Sequence, residues 1–373
     1  MIEDILPELS NAKVLTTVDA RNGYWHVVLD EESSLLTMFD TPVGRYRWLR
    51  LPFGLCVASE IFQKRLHQAL ENLEGIFSIA DDIIIYGAGD TVEEANVDHD
   101  RKFETLLQRC RAKGIKLNQE KLKFKQAEIP YLGHLVTKDG LKPDPGKVEA
   151  VKKMPKPDDA TAVRRFCGFI TYLARFLPRL SEVLEPLRQL TRKDAEWKWT
   201  EDHDKAFYQT KQLVVEATVL KFYDLKKELT IQCDAREEGI GVALLQDRQP
   251  IAFASRAVTK AETKYAQIEK EMLAVVYAVE KFNQYTYGRH VNIESDHKPL
   301  QAITKKPLHS APKRLQGMML RLQKYDVNIN FKPGHQMYLS DTLSRASLNT
   351  TGENPQKEFE QVVTVKLLPM SLS

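Results

Sequence analysis

The sequence predicts an α+β chain, and three observations carry that reading. Short β-branched runs such as Leu15–Val18, Ile83–Ile85 and Leu229–Cys233 alternate with longer stretches whose apolar residues recur every three to four positions. At 373 residues the chain is too long for one core, which points to two or three domains. Prolines and lysines gather between Pro143 and Pro157, marking a boundary between a first strand-rich part and a helical middle.

In chain order, a strand over Val14–Val18 is followed by a turn at Asn22-Gly23 and a second strand over Tyr24–Leu29. A hairpin follows around Thr41–Gly44, and Leu51-Pro52-Phe53-Gly54 leads into a helix over Ala58–Leu73 with Ser59 as its cap. A strand-turn-strand holds Asp81 and Asp82. The next helix, Ala95–Lys113, stops at Gly114. A short strand pair covers Lys123–Thr137. Helices are predicted over Ala162–Leu177 and Asp202–Glu216, with Pro178 and Pro186 breaking the chain between them. A second β-rich unit begins at Leu229, with strands over Gly241–Gln246, Pro250–Ser255 and His290–Ser295 and a helix over Glu262–Tyr285. Beyond Leu348 the chain is polar and without periodicity, which reads as linker or disorder.

Hydrophobic residues make up 43% and charged residues 28%, the proportions of a soluble globular protein. No apolar run reaches bilayer length and the N-terminus lacks a signal-peptide pattern, so no membrane partner is expected. Cys56, Cys110, Cys167 and Cys233 are scattered, which argues for reduced thiols in an intracellular setting, cytoplasmic or nuclear, and against a zinc site. The net charge of +3 conceals a segregation. Residues 1–100 hold 7 Lys/Arg against 18 Asp/Glu, residues 101–165 hold 17 against 8, and residues 301–345 hold 8 against 2. A basic band beside an acidic centre suits a polyanion track next to a metal site; ordinary solvated helix surface gives the same counts.

The run Ile79-Ala80-Asp81-Asp82-Ile83-Ile84-Ile85-Tyr86 places two carboxylates between apolar strands. Such a pair is costly without a cation, and a hard divalent ion is one reason to accept the cost. A polar hairpin tip is the other reading. Asp19 closes the run Leu15–Val18, so three carboxylates converge at one sheet edge if the two elements pair. In the second unit, Asp234 ends a strand, Asp296 follows another, and Glu271 lies on the apolar stripe Ile268, Met272, Val275, Val276, Val279 of its helix. Glu269 and Glu280 flank that stripe and read as solvated. Asp341 opens a short helix, where the dipole alone would favour an acid.

Taken in order, these motifs resemble the reverse transcriptase–ribonuclease H portion of the pol polyprotein of gypsy-type LTR retrotransposons. The matching segments in the first half are Thr17-Val18-Asp19-Ala20, Leu51-Pro52-Phe53-Gly54-Leu55 through Ile61-Phe62-Gln63, Ala80-Asp81-Asp82, Leu117-Asn118-Gln119-Glu120-Lys121 and Tyr131-Leu132-Gly133-His134. In the second half they are Cys233-Asp234-Ala235, Glu269-Lys270-Glu271, Ser295-Asp296-His297-Lys298-Pro299-Leu300 and Ser340-Asp341-Thr342-Leu343-Ser344-Arg345.

The resemblance implies a fold: a reverse-transcriptase palm over 1–137, a helical thumb and connection over 138–220, an α/β ribonuclease H-like domain with a mixed sheet over 221–346, and a linker or disordered tail over 347–373. It implies that Asp19, Asp81 and Asp82 are metal-binding catalytic acids of the palm, and that Asp234, Glu271, Asp296 and Asp341 play that part in hydrolysis of the RNA strand of RNA–DNA hybrids. Tyr24 would stack under the incoming sugar, Phe53 and Gly54 would border the nucleotide pocket, and Leu132 and Gly133 would support the primer end. Two Mg2+ or Mn2+ ions per site, RNA, DNA, RNA–DNA hybrid and deoxynucleoside triphosphates are the implied cofactors and partners. Lys305, Lys306, Lys313, Arg314 and Arg321 are candidates for phosphate contacts. His297 and His335 are candidates for a histidine that some family members use.

The family carries a fingers segment ahead of the first catalytic strand, and this chain begins close to Asp19. The expectation is therefore a truncated palm with impaired polymerisation and a ribonuclease H site that keeps its acids. The alternative is an inactive remnant that still binds nucleic acid.

Overall fold

The computed structural model describes residues 5, 8–237 and 239–337. Asp341, its flanking motif and the predicted tail lie outside the described residues. Contacts divide the chain into two units: residues up to Val148 with Val219–Lys226, and Glu149–Thr218 with the residues from Lys227 onward.

The first unit is built on strands β1 (Ala12–Ala20), β2 (Phe39–Thr41), β3 (Gly44–Tyr46), β4 (Ile76–Ile79), β5 (Asp82–Ala88), β6 (Leu117–Gln126), β7 (Glu128–Tyr131), β8 (His134–Thr137) and β9 (Gly140–Pro143). Its helices are α1 (Glu31–Leu35), α2 (Ala58–Leu70) and α3 (Val92–Lys113). The main sheet runs β4-β5-β1-β6, antiparallel at every pairing. The sequence signals for α3 act at both ends. Thr91 and Glu94 form a reciprocal capping box, and Gly114 takes the left-handed conformation that stops the helix. Phe62, Leu66 and Leu70 of α2 and Leu106 and Cys110 of α3 pack on Val18, Ile83 and Ile85, so this core backs the strands that carry Asp19 and Asp82.

The predicted strand Tyr24–Leu29 is instead a single 3-10 turn, Gly23–His26, followed by an isolated bridge between Val28 and Arg50. Its residues have strand propensity, but the local bond from His26 Nδ1 to the Gly23 carbonyl (3.0 Å) and the left-handed Asn22 curl the chain first. Ser59 does not cap α2; its hydroxyl meets the Tyr24 hydroxyl at 2.7 Å.

Helix α4 (Pro145–Lys153) spans the division between the units, in the region predicted as a boundary. The second unit continues with α5 (Ala160–Tyr172), α6 (Leu180–Gln189) and α7 (Glu201–Val215). Then come β10 (Leu229–Ala235), β11 (Gly239–Gln246), β12 (Gln249–Ala257), α8 (Gln267–Lys281), α9 (Asn283–Thr286), β13 (His290–Ser295), α10 (Lys298–Ile303), α11 (Lys313–Leu322) and β14 (Asp326–Phe331). The sheet order is β12-β11-β10-β13-β14. β10, β11 and β12 pair antiparallel, whereas β13 runs parallel to both β10 and β14, so the sheet is mixed. The predicted helix Glu262–Tyr285 is divided. Arg256 and Thr259 hold Glu262 in a 3-10 turn, Tyr265 and Ala266 are extended, and α8 starts only at Gln267.

Candidate active sites

In the first unit, register does the positioning. Asp19 stands directly opposite Asp82 in the β1–β5 pairing, and Asp81 sits in the two-residue turn between β4 and β5. The hairpin tip and the acid cluster are therefore the same place. Ala80 in that turn has φ +52°, an unfavourable region for an L-residue. Gln63 of α2 fastens it, accepting the Ala80 N–H while its amide donates to the Ser78 carbonyl at 3.1 Å. The Ala20 N–H donates to the Asp81 carbonyl at 3.1 Å. Gly23 is required by close approach: a Cβ there would lie 2.8 Å from Phe62 and 3.0 Å from an Asp81 oxygen.

Burial pushes the Asp81 and Asp82 carboxyls above the ordinary carboxylate range, and Asp19 adds to both shifts. Lys121 opposes them. Its ammonium lies 2.5 Å from an Asp19 oxygen while remaining 64% exposed. Tyr24 and Phe53 are brought together, with ring centroids 4.9 Å apart, and Phe62 packs edge-on to Tyr24 at 5.7 Å. Gly54 has φ +96° and open space where a side chain would stand. Leu132 and Gly133 form the two-residue turn of the β7–β8 hairpin, both at positive φ. Next to them, burial and the Asp82 charge raise the Tyr131 hydroxyl.

In the second unit, parallel pairing does the work. The β10–β13 register ends with Cys233 opposite Ser295, so Asp234 and Asp296 emerge side by side at the carboxyl ends of neighbouring strands. Glu271, 2% exposed, reaches the same place from α8. Each of the three offers an oxygen within 4.8 Å of the others, and no other trio of acid, cysteine or histidine ligands among the described residues does so. The Gln267 amide donates to Glu271 at 2.8 Å and to the Ala235 carbonyl at 3.0 Å, and the Ser295 hydroxyl lies 3.4 Å from the second Glu271 oxygen. Burial is the main cause that pushes Glu271 up to about 7; its hydrogen bonds oppose the shift, and the Asp296 charge adds to it. Gly334 comes close to Asp296, its would-be Cβ 3.1 Å from the carboxylate.

An all-oxygen donor set around a buried carboxylate suits a hard divalent cation rather than zinc. Cys233 does not alter that: it is wholly buried, and burial raises its thiol well above the ordinary range. His297 precedes α10, its backbone N–H donating to Ser295 Oγ at 3.2 Å, whereas His335 lines a cavity with Gln232, Arg248 and Lys332.

Two expectations need correction. Glu269 and Glu280 are not merely solvated: Glu269 pairs with Arg314 at 2.7 Å and Glu280 with Arg321 at 2.5 Å. A one-helix view could not foresee that α11 lies along this side of α8. Those two arginines are thereby engaged, and Lys305, Lys306 and Lys313 remain exposed. Sequence reasoning missed Gln63, Gln267 and Arg179, which touch the acids or the turn that carries them. Gln63 closed a quoted motif, whereas nothing in the local patterns of Gln267 and Arg179 marks them. Lys121 stood in a quoted motif, but its contact depends on β6 lying next to β1.

Residues 2–136 match the family described as reverse transcriptase (RNA-dependent DNA polymerase), and residues 224–325 match the RNase H-like domain found in reverse transcriptase. Both matched segments, and the relatives that follow, are reverse transcriptase and ribonuclease H-like sequences of retrotransposon Pol polyproteins. The chain is 32% identical over 353 residues to the Pol polyprotein of transposon 412 of Drosophila melanogaster, and 32% over 370 residues to that of transposon gypsy of the same fly. These alignments cover 93% and 95% of the chain but 28% and 35% of the relatives, so the chain spans about a third of their length. Among solved structures, a foamy viral protease-reverse transcriptase in complex with double-stranded DNA superposes with a TM-score of 0.78 at 23% identity, over 88% of this chain and 58% of that one. The same type of protein in complex with an RNA/DNA hybrid gives 0.74 at 21% identity, over 99% and 47%. These likenesses establish the α+β fold of a reverse transcriptase palm joined to a ribonuclease H-like domain. Among the described residues no helix is long and apolar enough to cross a membrane.

Proposed function

We propose that this chain cleaves the RNA strand of RNA–DNA hybrids at the Asp234–Glu271–Asp296 site and carries out RNA-directed DNA synthesis at the Asp19–Asp81–Asp82 site. The observation that carries the first half is the convergence of three carboxylates within 4.8 Å at the ends of parallel strands, where α/β sheets place their ligands. Asp341 is proposed as a fourth acid on resemblance alone.

Magnesium or manganese, two per site, fits the oxygen donors; when bound, such ions polarise the phosphoryl group and activate the attacking water or hydroxyl. The protein's own contribution is positional. Gln267 and Ser295 hold the two Glu271 oxygens in a fixed orientation, and the β10–β13 register fixes the spacing of Asp234 and Asp296. In the palm, Gln63 and Gly23 fix the turn that presents Asp81, and Tyr24 and Phe53 offer an aromatic surface beside it. Leu132 and Gly133 are proposed to bear on the primer end. Deoxynucleoside triphosphates, RNA and DNA are the proposed ligands, and the exposed Lys305, Lys306 and Lys313 are proposed to meet phosphates.

A labelled hybrid incubated with Mg2+ tests the reading. Cleavage is expected from the purified protein and not from Asp234→Asn. Hybrid binding without cleavage by the unaltered protein would favour the remnant, and cleavage unchanged in Asp234→Asn would place the chemistry elsewhere.

A further inference from the structure

The 3-10 turn Gly23–His26 contributes to two places. Gly23 comes close to Asp81 and Phe62, and Tyr24 packs on Phe53 and Phe62. Trp25 and His26, with Arg21, Asn22, Arg50 and Lys116, line a cavity of about 580 Å3 that none of the three acids, Tyr24 or Phe53 borders.

Three stretches far apart in sequence build this cavity, and hydrogen bonds hold them in place. The Arg21 N–H donates to the Lys116 carbonyl at 2.8 Å, and the Leu51 N–H donates to the Val27 carbonyl at 3.0 Å. Arg50 Nη1 donates to the Trp25 carbonyl at 2.8 Å. His26 Nδ1 faces the Gly23 carbonyl at 3.0 Å and so donates, while its Nε2 accepts the Lys116 N–H at 3.0 Å. That is a neutral tautomer with both nitrogens used. His26 therefore shapes the wall and leaves the charge to others.

The charge comes from Arg21, Arg50 and Lys116, and no carboxylate lines the cavity. Among the described residues none of these three pairs with an acid, whereas Arg45, Arg47, Arg101 and Lys125 of the same unit each sit against one. Composition does not account for this. Residues 1–100 hold 7 Lys/Arg against 18 Asp/Glu, yet two of those seven line one acid-free cavity. Cations gathered in a concave site focus a positive field that an anion relieves. Guanidinium groups match phosphate oxygens in bidentate pairs. Trp25, 43% exposed, offers a face on which a base can stack. The volume is that of a small-molecule site.

We infer that this cavity is a second nucleotide site, separate from the acid cluster. It takes the phosphates of a free nucleoside triphosphate on Arg21, Arg50 and Lys116, and the base against Trp25. Because side-chain cations neutralise the phosphates, binding needs no divalent ion. That sets it apart from the nucleotide proposed for the Asp19–Asp81–Asp82 site, and it stands whether or not those acids catalyse.

Titration of MANT-ATP into the whole chain in EDTA tests this. Saturable binding is expected, weakened at least about tenfold by Arg21→Glu or Lys116→Glu and retained in Arg21→Lys and Lys116→Arg. No saturable binding in EDTA, or binding indifferent to both charge reversals, overturns the inference. So does binding that falls in Tyr24→Ala and not in Trp25→Leu, which places the nucleotide at the acid site. Displacement of MANT-ATP by oligothymidylate at lower concentration than by ATP assigns the cavity to a nucleic-acid strand and overturns it too. A measurement on the unaltered protein guards against a folding defect. Ultraviolet cross-linking of 8-azido-ATP in EDTA, mapped by peptide mass spectrometry, is expected on the segments around Trp25 and Lys116, and labelling confined to other segments overturns the inference. Absence of hybrid cleavage and primer extension, with MANT-ATP binding intact, takes down the reading of the acid sites alone.

Discussion

The two units each gather acids at a sheet edge, but by opposite topologies. In the first, antiparallel strands set Asp19 directly across from Asp82, and a hairpin turn adds Asp81. In the second, parallel strands release Asp234 and Asp296 side by side at their ends, and a helix supplies Glu271 from outside the sheet. Their countercharges differ too. Lys121 alone meets Asp19, whereas Asp234 faces two arginines, the buried Arg179 and the exposed Arg236 at 3.6 Å. At the antiparallel edge all three acids are only partly buried. The parallel edge buries one carboxylate, Glu271, almost completely, whereas burial that is only partial also raises Asp81 and Asp82 at the antiparallel edge.

The sharpest test is separation of the activities. Asp234→Asn, Glu271→Gln and Asp296→Asn are each expected to lower hybrid cleavage by at least about a thousandfold, with Asp82→Asn within about twofold of the unaltered protein. The reverse pattern is expected for primer extension. Loss of both activities from one substitution would break the picture of two independent sites.

Next in size is a packing effect confined to the antiparallel site. Gly23→Ala is expected to destabilise the first unit by about 1–3 kcal/mol, since its Cβ would press on Phe62 and Asp81. Urea titration read by segment-resolved hydrogen exchange would show whether the second unit is spared.

Acid should affect the units at different pH. His99 is buried, its ring bonded to the Thr16 hydroxyl at 2.7 Å and facing Asp100 and Lys125, and burial lowers its pKa below the ordinary value. The unfolded chain therefore takes up that proton first, and this part of the first unit's stability is lost as pH falls below about 6.5. In the second unit, the bidentate Arg256 pair lowers Glu262 to about 2. Its stabilisation is full above about 4.5 and is lost between there and about 2. Stepped-pH urea titrations should show the first unit weakening first, and a His99→Gln variant should lose that early slope.

The smallest effect belongs to Lys121→Ala. Solvent screens an ion pair whose cation is exposed, so thermal unfolding should barely move. A larger shift would mean that the lysine carries fold stability as well as charge.

Strand and helix positions were legible where a local signal was read: Gly114 for the end of α3, the β-branched runs for β1, β5 and β10, and His290–Ser295 for β13; the start of α3 was placed at Ala95, three residues late, because the Thr91–Glu94 capping box was not used. Reading failed where a local signal had no tertiary partner, as at Tyr24–Leu29, which has strand-forming residues and no ladder to join. It failed again where a helix was judged by itself, as for Glu269 and Glu280, whose arginines come from α11. Asp81, Asp82 and Glu271 were conspicuous in sequence because carboxylates set into apolar runs or stripes are costly, whereas the choice of Asp19, Asp234, Asp296 and Asp341 came from the family resemblance. Their partners could not be named from sequence. Lys121, Gln267 and Arg179 are ordinary polar residues whose role depends on strand order, helix docking and one left-handed backbone turn, and contacts between positions far apart in the chain exist only once the chain has folded.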